Sequence, residues 1–186
     1  MQALFFGTLA RAMPSAALVR HPAARCDALR GIRVSIERKS ESLMVAYVLE
    51  GEIDRLRIPA PRAARSAERL WQRTCCELFI SRDGAPGYRE FNFSPSGEWA
   101  AYEFPRYREG KSFLAGDPSI AVKRAAGRLE LAAKIQDHPG RIRIGLSAVI
   151  EDEEGTFSYW ALRHAPGQPD FHHPDAFAME LDEARA

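Results

Sequence analysis

The sequence predicts an all-β protein: an antiparallel β-sandwich, jelly-roll or immunoglobulin-like, of about nine strands. Short segments in which apolar and polar residues alternate recur roughly every ten residues along the chain, which is typical of sandwiches. Turns rich in Gly and Pro join these segments. Strand patterns do not alternate with helical ones, so a parallel α/β sheet is not indicated.

The first half of the chain contains strand patterns of two kinds. In residues 32–36, Ile and Val alternate with polar residues, which indicates a half-buried strand. Residues 43–49 are apolar on both faces, which is typical of a central strand covered on both sides. A short strand is expected at residues 53–58, before a polar linker that runs to residue 68.

The second half is predicted to be almost entirely strands and turns. Cys76, Leu78 and Ile80 share one face of a strand at residues 75–80. Only a short piece of the linker and the tail from Asp182 have helical character. Further strand segments are expected at residues 88–104 (a hairpin), 120–123, 129–135, 142–150, 157–162 and 177–181.

The most informative segment is the predicted hairpin of residues 88–104. Residues 94–97 (Ser-Pro-Ser-Gly) have turn chemistry, because proline presets φ and glycine tolerates positive φ. Folding the arms about this turn pairs Phe93 with Glu98 and Asn92 with Trp99. The face that is then expected to lie against the core carries Phe91, Phe93, Ala100, Tyr102 and Phe104.

The opposite face of this hairpin combines an aromatic ring with hydrogen-bonding groups. Such a platform suits a polar ligand that has an apolar ring face, such as a sugar. An ordinary solvated sheet face is the alternative, because any half-buried strand alternates in this way. The residues assigned to this face are Tyr88, Glu90, Asn92, Trp99 and Glu103.

Paired carboxylates provide an enzymatic alternative. Glu77, Glu90 and Glu103 would lie near one another if residues 75–80 neighbour the hairpin. Glycoside hydrolysis needs two carboxyl groups about 5–10 Å apart. The sequence gives no separation, so the preferred interpretation is a protein without catalytic residues, and a glutamate-pair enzyme stays open.

The segment of residues 166–177 is unusually rich in Pro, Asp and His. Its prolines lower the entropy cost of ordering it. It is expected to form a structural lid, with part of a ligand site or a metal site as alternatives. The polar side chains that it contributes are Asp170, His172, His173 and Asp175.

Composition excludes several classes of function. Lys and Arg total 26 against 25 Asp and Glu, and these charges are interspersed, so no basic field for nucleic acid is expected. No stretch approaches the roughly 20 apolar residues of a membrane helix. Three cysteines, two of them adjacent, argue against a disulfide framework, although Cys26 could pair with either of the others. A reducing compartment, the cytoplasm, is therefore expected.

The domain organisation is expected to be simple. Residues 1–20 are interpreted as a flexible extension and residues 21–182 as one sandwich domain. A short apolar run at residues 3–10 precedes a small-x-small pattern at residues 10–12. A signal peptide, and hence a periplasmic location, is the alternative to the flexible extension.

Three motifs carry a resemblance to a known family. They are residues 71–79 (Trp-x-x-Thr-Cys-Cys-Glu-Leu-Phe), residues 90–102 followed by Tyr107 and Arg108, and residues 169–177. With them the chain, from about His21 onward, resembles the bacterial DOMON-like proteins, which are similar to family 9 carbohydrate-binding modules. The resemblance implies a β-sandwich of a type that binds sugars or haem.

The resemblance also implies roles for particular residues. In the sugar-binding relatives two tryptophans enclose a sugar, and Trp99 and Trp71 are the candidates for that role here. Cys75 stands where those relatives carry an acid two residues before Glu77. No Met/His or Met/Lys pair aligns with haem ligands, so no cofactor is expected; haem and calcium remain alternatives.

The sequence therefore predicts a non-catalytic module that binds a carbohydrate or a similar small polar ligand. Stacking is assigned to the aromatic residues, hydrogen bonding to the hairpin, and closure of the site to the segment of residues 166–177. A haem or redox module, a glycoside-active enzyme and a surface for a protein partner are the alternatives. The predicted binding residues are Trp99, Trp71, Tyr88, Arg89, Glu90, Asn92, Asp170 and His172.

Overall fold

The computed structural model describes residues 14–39, 41–114 and 116–183. Twelve β-strands and a few single 3-10 turns form the regular structure of these residues. The strands are β1 (Ser15–Arg20), β2 (Leu29–Lys39), β3 (Ser42–Gly51), β4 (Cys75–Arg82), β5 (Tyr88–Phe93), β6 (Trp99–Phe104), β7 (Ser112–Phe113), β8 (Ser119–Ala125), β9 (Arg128–Gln136), β10 (Ile142–Glu151), β11 (Phe157–Ala161) and β12 (Met179–Leu181).

The strands form two antiparallel sheets that are joined along one edge. One sheet has the order β7-β6-β5-β4-β10-β11, with β12 beside the start of β10, and the other has the order β1-β2-β3-β9-β8. Strand β1 pairs with β2 through residues 15–18 and with β11 through Val19 and Arg20. The predicted antiparallel all-β sandwich is confirmed.

Two details of the predicted elements are wrong. Residues 15–20 are predicted to belong to a flexible extension, but they form β1. The signal-peptide alternative depends on residues 1–13, which lie outside the described residues. The strand expected at residues 53–58 is instead a 3-10 turn over Ile53–Arg55. The apolar pattern of this segment does not come from a strand. It includes Ile53, whose side chain is buried in the core.

The core lies between the inner faces of the two sheets. Alternate residues of β2, β3, β9, β4 and β10 supply it, as the period of two requires. Tyr47 of β3 is fully buried there, and its hydroxyl donates a hydrogen bond of 2.6 Å to the backbone carbonyl of Glu77 on β4. This hydrogen bond ties one sheet to the other through the core. Cys26, Cys75 and Cys76 are buried free thiols, so the alternative disulfide is not formed.

The β5–β6 hairpin has a register one residue away from the prediction. Phe93 pairs with Trp99, and the Ser94 N–H donates to the Glu98 carbonyl at 2.9 Å. The loop between them is thus three residues long and ends at Gly97, which has φ of 93°. Three-residue hairpin loops with a left-handed glycine are common, because the glycine forms a bulge that matches the twist of the strands.

This register exchanges the two faces of β6. A slip of one residue moves every side chain of a strand to its other face. Trp99 therefore lies in the core between the sheets and is only 8% exposed. Glu103 shares its face and is exposed. The side chains on the outer face are those of Ala100, Tyr102 and Phe104.

A buried ion cluster stabilises one end of the sandwich. The side chain of Asp137 is 1% exposed and accepts hydrogen bonds from Arg38 Nε at 2.7 Å and Arg82 Nη2 at 2.6 Å. The Arg89 guanidinium, 3.8 Å away, completes the cluster. Burial alone would raise the pKa of Asp137, but hydrogen bonds from Arg38, the His138 backbone and Arg82 outweigh it and lower that pKa. Arg89 thus points to the inner side of the hairpin.

Candidate functional site

An open pocket of about 620 Å³ lies on the outer face of the sheet that contains β4, β5, β6, β10 and β11. Glu90 of β5 pairs directly with Tyr102 of β6, and Val149 of β10 pairs with Tyr159 of β11. Residues that are directly paired across neighbouring strands point to the same face of a sheet, so these side chains share one face and form the floor of the pocket. Glu77 of β4 lies on the same face, opposite Asn92 in the register.

The floor contains a pair of buried carboxyl groups. Glu77 is 3% and Glu90 is 5% exposed. Asn92 Nδ2 donates to Glu90 Oε1 at 2.6 Å, and Ser147 Oγ lies 3.4 Å from Glu77 Oε2. Burial raises the pKa of both carboxyl groups, and the nearby Glu90 raises that of Glu77 further. A carboxyl group accepts hydrogen bonds from ligand hydroxyls when ionised, and its protonated form also donates one.

The loop that follows β11 covers one end of this face. Phe171 and Phe177 pack against an outer apolar cluster that includes Phe79 and Phe104. His172 lies among these rings, with centroids 5.1 Å from Phe79 and 5.2 Å from Phe104. The loop is therefore anchored by apolar packing, and it brings an imidazole to the pocket wall.

The hydrogen bonds around the imidazole of His172 favour one tautomer. The Arg108 backbone N–H donates to the Tyr88 hydroxyl at 3.1 Å, and this hydroxyl lies 2.7 Å from His172 Nδ1. Because this hydroxyl already accepts one hydrogen bond, the arrangement favours the tautomer in which Tyr88 donates to Nδ1 and Nε2 carries the ring hydrogen. Nε2 lies 3.7 Å from Glu90 Oε2, so the N–H is directed to the pocket floor.

We expect His172 to remain neutral down to about pH 4. Burial, followed by the positive charge of Arg108, lowers its pKa to about 4. Because the unfolded chain binds the proton first, the free energy of unfolding should fall as pH falls from about 6.5 towards 4. Ring ¹⁵N NMR should show the Nε2–H tautomer at pH 7 and a midpoint near 4. A midpoint close to 6.5 would contradict the buried placement of this ring.

Asp170 fixes the loop and does not line the pocket. Its carboxylate accepts hydrogen bonds from the Tyr107 hydroxyl, from Arg108 Nη2 at 2.7 Å and from the His172 backbone N–H at 3.0 Å. Burial would raise the pKa of Asp170, but the hydrogen bonds from Tyr107 and Arg108 outweigh it and lower that pKa. The guanidinium that borders the pocket is thereby held in place by an ionised partner.

The rim of the pocket combines exposed rings with a cation. Trp71, in the 3-10 turn Leu70–Gln72, is 48% exposed. The ammonium of Lys111 lies 4.3 Å from the centre of the Tyr102 ring, which places a cation over its π face. Phe113, 60% exposed, packs against the same ring at 5.3 Å. The rim can therefore offer a flat apolar surface next to a charged donor.

The structure brings together some of the predicted site residues and separates others. Trp71, Glu90 and His172 line the pocket. Tyr88, Asn92 and Asp170 lie directly behind it as hydrogen-bond partners. Trp99 and Arg89 do not reach it, since both lie on the inner side of the hairpin.

Of the three glutamates that the sequence suggests as neighbours, two lie together in the pocket. Glu103 lies on the other face of β6, so the carboxyl partner of Glu90 in the pocket is Glu77. The sequence does not indicate Tyr102 or Lys111 as pocket residues, because its pattern places Tyr102 on the core side of the hairpin and Lys111 lies outside the predicted strands. A three-residue loop ending at Gly97, had it been predicted, would have placed Tyr102 on the outer face. No feature of the sequence places Lys111 near Tyr102, because only the fold brings the two together.

The described residues contain neither a candidate metal centre nor a membrane-crossing helix. In residues 14–39, 41–114 and 116–183, no group of three His, Cys, Asp or Glu side chains is arranged to hold a metal ion. No helix of these same residues is long and apolar enough to cross a membrane.

The fold is similar to solved structures of carbohydrate-binding proteins. A candidate carbohydrate-binding protein from Bacteroides uniformis matches with a TM-score of 0.63 at 14% identity, over 93% of this chain and 86% of that one. Two structures of a family 9 carbohydrate-binding module from Caldicellulosiruptor kristjanssonii also match. The complex with cellotriose has a TM-score of 0.57 at 13% identity (94% and 84% covered), and the glucose complex has 0.52 at 14% (88% and 81%).

Sequence comparison gives no closer relationship. No protein-family model matches this chain, and no curated protein matches it. At identities this low, the similarity to solved structures establishes the β-sandwich fold that the chain shares with family 9 carbohydrate-binding modules.

Proposed function

We propose that this protein binds a carbohydrate in the pocket on the outer face of β4, β5, β6, β10 and β11, without transforming it. The observation that carries the proposal is the half-exposed ring of Trp71 beside a floor that contains the Glu77 and Glu90 carboxyl groups. A sugar ring presents an apolar face of C–H groups and an edge of hydroxyls. It therefore suits an aromatic platform next to groups that both donate and accept hydrogen bonds.

The size and lining of the pocket support this ligand class. Its volume of about 620 Å³ is in the range of small-molecule sites. Aromatic walls from Tyr102, Phe157 and Phe171 surround the polar groups. The solved structures of similar fold, which include complexes with glucose and cellotriose, support the proposal independently of the geometry.

Titration with glucose and cellotriose tests this proposal. Trp71 is the exposed tryptophan, while Trp99 and Trp160 are 8% and 5% exposed. A sugar in the pocket should therefore change the fluorescence of Trp71 and release heat with the same dissociation constant. Trp71→Phe should remove most of the fluorescence change but keep part of the heat, because a ring remains. If no sugar in a broad panel gives a signal at millimolar concentration, the proposal is wrong.

Glycoside hydrolysis is the second candidate, and the Glu77–Glu90 pair favours it. Raised carboxyl pKa values are typical of general acids. Both groups, however, are almost fully buried in the floor and come from adjacent strands, so they lie on one side of a bound sugar. Hydrolysis needs carboxyl groups that flank the glycosidic bond. Chromatography after the cellotriose titration should return intact trisaccharide; glucose release that Glu90→Gln abolishes would instead favour hydrolysis.

A further inference from the structure

A second groove, also of about 620 Å³, adjoins the proposed sugar pocket. The 3-10 turn that carries Trp71 separates the two, and Gln72 of this turn lines both. A ligand longer than one sugar could pass this turn from one to the other. We call the second space the arginine groove, because its walls include Arg57, Arg62, Arg69 and Arg73.

Two buried carboxylates on the walls of the arginine groove form ion pairs with guanidinium groups. Glu151, whose side chain is 1% exposed, accepts from Arg57 and Arg73, each at 3.0 Å. Glu98, whose side chain is 9% exposed, accepts from Arg65 at 2.8 Å and lies 3.7 Å from Arg62. Each carboxylate lies near two arginines and carries one negative charge, so one positive charge remains at each.

Donors remain free after these contacts are made. Arg73 directs only Nη1 at Glu151, and a guanidinium has five N–H donors. Arg69 makes no ion pair with a carboxylate in the described ranges, and its backbone is in the left-handed region, with φ of 58°. Glu68, which is exposed, is the remaining acid on the wall. The groove therefore has an excess of positive charge and guanidinium N–H donors that no carboxylate uses.

We propose that the arginine groove binds the carboxylate of a uronic acid residue, so that the preferred ligand is an acidic oligosaccharide. Its neighbouring sugar would lie in the pocket beside Trp71; this inference therefore rests on the proposed function. Planar guanidinium groups bind planar carboxylates through paired hydrogen bonds, which a neutral sugar cannot supply. The Arg62 and Arg69 side chains are the most available, because Glu98 keeps Arg65 as a closer partner than Arg62 and Arg69 makes no ion pair within the described ranges.

The experiment compares cellotetraose with its C6-carboxylate form by calorimetry at low and at physiological salt. The acidic form should bind about tenfold more tightly at low salt, and salt should reduce this advantage. The double variant R62Q/R69Q should lose this difference between the two ligands, and it should stay folded because Arg65 still pairs with Glu98. Arg33→Gln is the matched control, because Arg33 is exposed on β2 and Arg128 still pairs with its partner Glu50.

The possible outcomes separate this inference from the proposed function. Equal affinity for the two tetrasaccharides, with binding that still depends on Trp71, would overturn the acidic ligand and leave the sugar pocket intact. An acidic preference that R62Q/R69Q does not change would overturn the assignment to the arginine groove. Absence of binding to either form would overturn both. Glu68→Gln should strengthen binding of the acidic form alone, because it removes the exposed carboxylate on the wall.

Discussion

Trp71→Ala is expected to lower the affinity for the bound sugar about ten- to hundredfold, which corresponds to about 1.4–2.8 kcal/mol. The Trp71 ring is 48% exposed and lies at the pocket rim, so a ligand can stack on it and remove apolar surface from water. Its 3-10 turn contributes no buried residue to the core, so the free energy of unfolding should change little. Calorimetry and urea unfolding measure the two quantities.

Trp99→Phe is the matched control for this prediction. The Trp99 side chain lies in the core between the sheets, so its replacement should reduce stability and leave sugar affinity unchanged. The sequence alone predicts a stacking role for Trp99 as well as for Trp71, so it predicts a loss of affinity in both variants. Loss of affinity in Trp99→Phe together with normal affinity in Trp71→Ala would show that the hairpin has the other register.

Asp137→Ala is expected to lower the free energy of unfolding by about 3–5 kcal/mol, the usual effect of removing one member of a buried ion cluster. Its carboxylate is 1% exposed and binds Arg38, whose own side chain is only 7% exposed. Alanine would leave this guanidinium and those of Arg82 and Arg89 close together without a counter-charge. Chemical unfolding at pH 7 measures the loss.

The pH dependence and a surface control sharpen this second prediction. The folded-state pKa of Asp137 is lowered, so its contribution is complete above the unfolded value of about 3.9 and is lost as pH falls below it. The difference between wild type and Asp137→Ala should therefore shrink in acid. Glu180→Ala, which breaks a half-exposed pair with Arg141, should change stability by at most about 1 kcal/mol. Equal effects of the two variants would mean that the cluster is not buried.

The sequence predicts the sandwich because strand alternation is a local property. Residues 142–150, for example, place Ile142, Ile144 and Leu146 on one face, and the structure buries all three in the core. The register between two strands is not a local property, because it depends on how the turn pairs residues of different strands. A hairpin loop of three residues and one of four differ by a single hydrogen bond, here that between Ser94 and Glu98, and this bond decides which face of β6 contains Trp99.

The candidate site could be predicted only in part for the same reason. Glu90 and His172 were recognised because polar groups in a strand and in a proline-rich loop stand out in the sequence. Lys111 and Tyr102 are nine residues apart in the chain and become neighbours only when β7 turns back along β6. The Glu77–Glu90 pair depends on the β4–β5 register, which no turn signal in the sequence specifies.

The hydrogen bond from Tyr47 to the backbone of Glu77 has a consequence for the kinetics of ligand capture. It fastens the pocket floor to the opposite sheet, so the floor is already ordered when a ligand arrives. Because the floor is ordered when the protein folds, its ordering does not oppose ligand binding. A ligand needs to immobilise only rim side chains such as Trp71 and Lys111. Differences in affinity among related ligands should accordingly be expressed in their dissociation rates, with association rates nearly constant.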